Sequence, residues 1–157
     1  MDASYINPFV QGAQRVFDTL CGETPALGKV FLKSLPYAIS PVTVGIQIIG
    51  EFEGEVVYNL EESAACYLAS KMMMGMPVPT IQDEMAKSAV SELANIISGN
   101  VATIFAGKKI IVDIKPPQFR FNALADDFKM TTRVEKIVCV PLKFKDGHVF
   151  EVDVMIP

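Results

Sequence analysis

The stretch from Thr80 to Phe105 most limits the folds open to this chain, because it holds no proline and repeats apolar residues at helical spacing. Projected as a helix, Ala86, Ala89, Val90, Leu93, Ile97, Val101 and Ile104 share one face. Ser88, Glu92, Asn95 and Gly99 gather on nearly the opposite side. Thr80, with Asp83 three residues on, is the expected cap, and Gly107 the expected stop. A helix this long with one apolar face needs a second layer to bury it.

Alternating residues supply that layer. Val42, Val44, Ile46 and Ile48 alternate along one strand, Phe52-Glu53-Gly54-Glu55 turns, and Val56, Tyr58 and Leu60 return. A second hairpin alternates Val138, Val140, Leu142 and Phe144, turns at Asp146-Gly147, and resumes at Phe150, Val152, Val154 and Ile156. Ile110 to Ile114 reads as a short strand ending at Pro116-Pro117. Residues 3–21 and 61–75 have helical spacing. The expected fold is α+β, a mostly antiparallel sheet with helices packed on it.

The order helix then hairpin occurs twice. Superposing Gly28-Lys29 on Gly107-Lys108 sets Ala13 and Val16 opposite Glu92 and Asn95. On that alignment the chain is a pair of duplicated helix-hairpin units, and only the second keeps polar residues at those positions.

At 157 residues the chain is expected to form one domain, 1–157. Its net charge of −4 is spread among interspersed acids and bases, which argues against a nucleic-acid or membrane-surface partner. The start lacks a secretory pattern, and no apolar run was expected to reach the roughly 20 residues of a membrane span. Cys21, Cys66 and Cys139 are odd in number and far apart, as in a reducing compartment. A cytoplasmic location follows as an expectation. His148, the lone histidine, reads as a surface residue beside a turn, and no metal-ligand spacing is present. Met72, Met73, Met74 and Met76 read as core and lid ahead of contact surface. Asn100 is expected to satisfy a buried backbone group.

Glu92 and Asn95 are i,i+3 neighbours, so both side chains enter one patch, and Ser88 and Gly99 keep that patch low. Taken as a bare spacing, such a pair is more often a solvated face than a site. Ser88 and Ser91 have no accompanying base, which disfavours nucleophilic serine chemistry.

The run from Asp83 to Asn100, with Glu92 and Asn95 at its centre, resembles the signature helix of the CheC/CheX/FliY family. The likeness extends to the helix beginning Met1-Asp2-Ala3, the Val42–Tyr58 hairpin, the methionines at 72–76, and Val112 to Pro117. It implies a CheC-like fold and a hydrolase, a phosphatase acting on the aspartyl phosphate of a CheY-type response regulator in chemotaxis. The catalytic pair would be Glu92 and Asn95, with Ser88, Ser91 and Gly99 contacting the partner. Asn95 would position a water and Glu92 would orient the partner's lysine. The family pattern implies no cofactor belonging to this chain, with Mg²⁺ on the partner receiver domain. It also implies a homodimer, for which the C-terminal alternating strands would offer edges. Ala13 and Val16 point to the single-site, CheX-like branch. The rivals are a non-catalytic adaptor of the same fold binding a response regulator or chemoreceptor complex, a FliY-like switch component, and a ligand-binding module.

Overall fold

A computed structural model describes residues 3–131 and 133–156, so Met1 and Asp2, included in the resemblance above, lie outside the described residues. The order is α1 (Ala3–Cys21), β1 (Ala26–Leu27), β2 (Phe31–Ser34), β3 (Val42–Gly50), β4 (Gly54–Leu60), α2 (Glu62–Met72), α3 (Glu84–Gly107), β5 (Val112–Ile114), β6 (Gln118–Phe121), β7 (Lys136–Lys143) and β8 (Val149–Met155). All the paired strands run antiparallel in one sheet.

The two long hairpins lie where alternation put them. Val44 pairs with Tyr58 and Val140 with Val152, and β4 joins β8 through Tyr58 opposite Val152. Two halves are visible in the topology. The short strands β1 and β2 pair with β7, whereas β5 and β6 pair with β3. Each half therefore lays its short strands on the first long strand of the other.

Three strands were missed. β1 has two residues, β2 is exposed along nearly its whole length, and β6 follows a Pro-Pro pair, so none shows a legible alternation. The C-terminal strands also do not provide sheet edges. β8 lies between β7 and β4, and β7 between β8 and the β1–β2 pair, which leaves β1–β2 at one side and β5–β6 at the other.

The alignment of the halves changes as well. Gly28 lies beyond β1, donating its N–H to the Pro141 carbonyl at 2.8 Å, while Gly107 is the last residue of α3. The two glycines are not equivalent. Matching the buried residues of the helices pairs Phe9 with Val90, Gly12 with Leu93, Ala13 with Ala94 and Val16 with Ile97. Ala13 and Val16 are core residues, and Gln11 and Gln14 stand opposite Glu92 and Asn95.

Valines 42, 44, 56, 152 and 154, with Ile46 and Tyr58, form the sheet face that packs against the helices. The other face is covered too: Val57, Ile137, Cys139 and Met155 meet Tyr37, Phe128 and Met130. Turn cues marked no such second layer, since residues 122–135 lack periodicity. α3 is long and apolar enough to cross a membrane by length and composition, contrary to expectation. Here it contributes eight residues, from Ala86 to Phe105, to the buried interior.

The second face also holds a polar cluster. Asn59 Nδ2 donates to the Tyr37 hydroxyl at 2.9 Å and to Asp153 Oδ2 at 2.8 Å, and the Tyr37 hydroxyl donates to the same carboxylate. Lys33 Nζ lies 3.2 Å from Asp153 and pairs with Glu151. Donor atoms of Cys139, Glu151 and Asp153 lie within 4.8 Å of one another, a grouping that sequence spacing could not reveal. The Lys33 ammonium already supplies the positive charge there. Burial pushes the Asp153 carboxyl up to about 7, with Glu151 acting the same way and Lys33 and Tyr37 opposing.

A carboxyl raised on folding stabilises fully below its unfolded value, and that contribution is lost as pH climbs through the folded one. Stability from Asp153 should therefore fall between about pH 4 and 7. Asp153→Asn keeps an acceptor for Tyr37 and should flatten this fall. Melting curves at pH 5 and pH 8 check it: the difference between variant and wild type should shift in the variant's favour at pH 8.

Candidate functional site

Helix α3 begins at Asp83, whose carboxylate accepts the Met85 N–H at 3.0 Å. Thr80 is not the cap; it lies in the preceding turn, where its hydroxyl accepts the Gln82 N–H at 3.2 Å. The helix continues through Gly107, and Lys108 and Lys109 end it, with Lys109 in the left-handed region at φ 65.

The inner face is held in two ways. Ser98 Oγ and the Tyr58 hydroxyl share a buried hydrogen bond of 2.8 Å. Gly12 of α1 lies so near α3 that a Cβ there would come 2.8 Å from Val101 Cγ2 and 3.3 Å from the Val101 nitrogen. These contacts fix how far α3 stands from α1 and which side faces out.

On the outward side Ser88 and Glu92 are exposed, and Ser91, Asn95 and Gly99 are half-buried. An added Cβ at Gly99 would meet open space. Among the described residues, neither Glu92 nor Asn95 is engaged in a hydrogen bond or ion pair within the chain. The fold thus brings all five predicted residues onto one accessible ridge. Asn100 does bond a backbone group, its Nδ2 donating to the part-buried Ile96 carbonyl of its own helix at 3.0 Å. His148 lies elsewhere, as expected, with Nδ1 2.8 Å from Asp146 Oδ2 and its ring against Tyr67.

Grooves flank the ridge on both sides. One, of about 430 Å³, runs between α1 and α3 and includes Arg15, Asp18, Ile96 and Asn100. The other, of about 410 Å³, is lined by Met72, Glu84, Met85, Ser88, Ala89 and Glu92. Arg15 and Met85 were passed over in the sequence. Their signal was position, on the outward halves of their helices. Met74 and Met76 are exposed, so they are neither core nor lid.

On α1 the equivalent positions hold Gln11 and Gln14. Gln14 Nε2 donates to the Pro25 carbonyl at 3.1 Å, so its amide is tied down, and no carboxylate stands at the first position. The single acid-amide pair therefore belongs to α3, for a different reason from the Ala13/Val16 alignment.

An exposed carboxylate and a half-buried amide, unpartnered among the described residues, stand side by side on a ridge kept low by serine and glycine. Residues 42–143 match the family described as chemotaxis phosphatase CheX, and the chain belongs to that family. Its members are phosphatases, and hence hydrolases. The chain is 33% identical over 120 residues to the CheY-P phosphatase CheX of Thermotoga maritima, covering 74% of this chain and 75% of that one. It is also similar to the CheX–CheY–BeF3–Mg²⁺ complex from Borrelia burgdorferi, with 29% identity, a TM-score of 0.77 and 97% of each chain covered. A CheX from Desulfovibrio desulfuricans shares the fold at TM-score 0.80 and 20% identity, covering 98% and 99% of the two chains.

The close approach at Gly12 is testable. Gly12→Val should destabilise the protein by about 1–3 kcal/mol through overpacking against Val101. Urea denaturation measures this, and an unchanged midpoint would contradict the tight α1–α3 contact.

Proposed function

We propose that this chain is a cytoplasmic protein aspartyl-phosphate phosphatase, one domain over 1–157, that dephosphorylates a CheY-type response regulator in chemotaxis. The observation that carries the reading is the outward Glu92–Asn95 pair, unpartnered within the described residues, in a member of the CheX family. The CheX–CheY complex among its structural relatives supports the same choice of partner.

The reaction needs little from this side. Hydrolysis of an acyl phosphate requires a water in line with the scissile P–O bond, and holding that water removes much of its entropic barrier. Asn95 can do so because its amide both donates and accepts while staying neutral beside a phosphoryl group. Glu92 pairs with the lysine of the receiver domain and orients it. Ser88, Ser91 and Gly99 let the partner backbone approach closely. Mg²⁺ belongs to the receiver domain.

A non-catalytic adaptor would keep the binding groups but would not need a water-positioning amide. Phosphate release from a phosphorylated CheY-type receiver separates the two readings. Wild type should accelerate release, and Asn95→Ala should lose on the order of 100-fold in kcat. Glu92→Ala should also weaken capture of the receiver by roughly tenfold or more. A wild type that leaves the rate unchanged would sink the enzyme reading.

The reading includes a homodimer, formed through the β1–β2 side of the sheet. Leu27, Phe31, Leu32 and Leu35 are exposed along it, at 51, 40, 57 and 48%. An apolar strand at a sheet edge invites pairing with a second copy. Leu32→Lys should convert the dimer to monomer in sedimentation velocity, and a monomeric wild type would overturn this part.

A further inference from the structure

We infer that the methionine-lined groove between α2 and α3 is the docking surface for the receiver domain, accepting an apolar side chain with a basic residue beside it. The inference rests on the phosphatase reading and names where its partner gains affinity. The groove, of about 410 Å³, adjoins the ridge directly, because Glu92 forms part of its wall. Met85 lies two helical turns before Glu92, about 10 Å along the axis. One face of a small domain can span both.

The chemistry of the lining selects the occupant. Met72 and Met85 supply apolar, adaptable contact, and Met85 is 60% exposed. Met74 and Met76, 97% and 53% exposed in the loop after α2, lie outside the groove lining. Thioether side chains repack around irregular partners at little cost, which suits a surface that meets a transient protein. Ser88 and Ala89 keep the floor shallow. Glu84 and Glu92 put carboxylates on the rim; Lys87, 3.5 Å away, pairs with Glu84, and Glu92 is left without an ion-pair partner among the described residues. The rim thus favours a basic residue next to the inserted apolar one.

Charge argues against the other occupants. Two copies docked groove to groove would bring the Glu84 and Glu92 rims together. An anionic lipid surface would be repelled by the same carboxylates.

The test compares wild type, Met85→Glu and Met85→Leu with a phosphorylated CheY-type receiver. Met85 is in the first turn of α3, where an added carboxylate is compatible with the helix. Met85→Glu should raise KM by roughly tenfold with kcat nearly unchanged, and Met85→Leu should behave as wild type. An unchanged KM for Met85→Glu overturns the inference. Binding of the beryllofluoride-activated receiver is measured in parallel. If wild type does not bind it, the phosphatase reading fails; if wild type and Met85→Glu bind equally, only the groove assignment fails. A change in the sedimentation coefficient of Met85→Glu alone, with receiver affinity intact, would make a second copy the occupant and overturn the inference.

Discussion

The buried hydrogen bond between Ser98 and Tyr58, 2.8 Å long, decides which side of α3 the molecule shows. α3 is apolar enough that hydrophobic pattern alone specifies its rotation weakly, since Ile96, Ala102 and Ile104 lie partly outside the core. Rolling the helix would bury the Tyr58 hydroxyl without its partner, at a cost of about 1–3 kcal/mol. Gly12 adds a second restraint, because α1 can only approach Val101 where no side chain intervenes. Rotation and separation together keep the Glu92–Asn95 ridge outward.

The sheet under α3 depends on both halves of the chain at once. β3 carries β5 and β6, β7 carries β1 and β2, and β4 meets β8 between them. Neither half can complete its own sheet. The two helices differ on their faces rather than in the frame: α1 and α3 bury matching positions, while the outward pair is two glutamines on one and an acid and amide on the other. Gln14 is spent on the Pro25 carbonyl, closing the α1–β1 connection. The equivalent Asn95 on α3 has no hydrogen-bond partner among the described residues, so the two positions do different work within the fold.

Long elements were legible because their periodicity is repeated over many residues. Val42–Leu60, Lys136–Met155 and Glu84–Gly107 each gave enough turns or alternations to reveal type and facing. The outward placement of Glu92 and Asn95 came from the same arithmetic. The short edge strands did not announce themselves, since two to four exposed residues carry no period. The second core was invisible for a related reason: Phe128 and Met130 reach it from irregular chain, and β4 is buried on both faces. The Gly-Lys echo misled because it matched letters rather than burial. Met72 packs against the core as expected, but Met74 and Met76 misled because helix-end composition does not say where a chain leaves its core, and Met74, at φ 59, has already turned away from α2.

A site built this way divides its labour. Side chains held by internal hydrogen bonds are rigid but already satisfied, as Asn59 and Tyr37 are on the far face of the sheet. Glu92 and Asn95 have no such bonds among the described residues, and on the proposed reading the rigid helix beneath them limits the freedom lost when they engage a partner. Two polar groups exposed to water gain little net free energy by exchanging water for a partner. On the proposed reading their contribution is geometry, and the free energy of association has to come from apolar area close by. Met85, with Met72 beside it in the groove wall, is apolar area adjoining the pair on the α2 side of that helix.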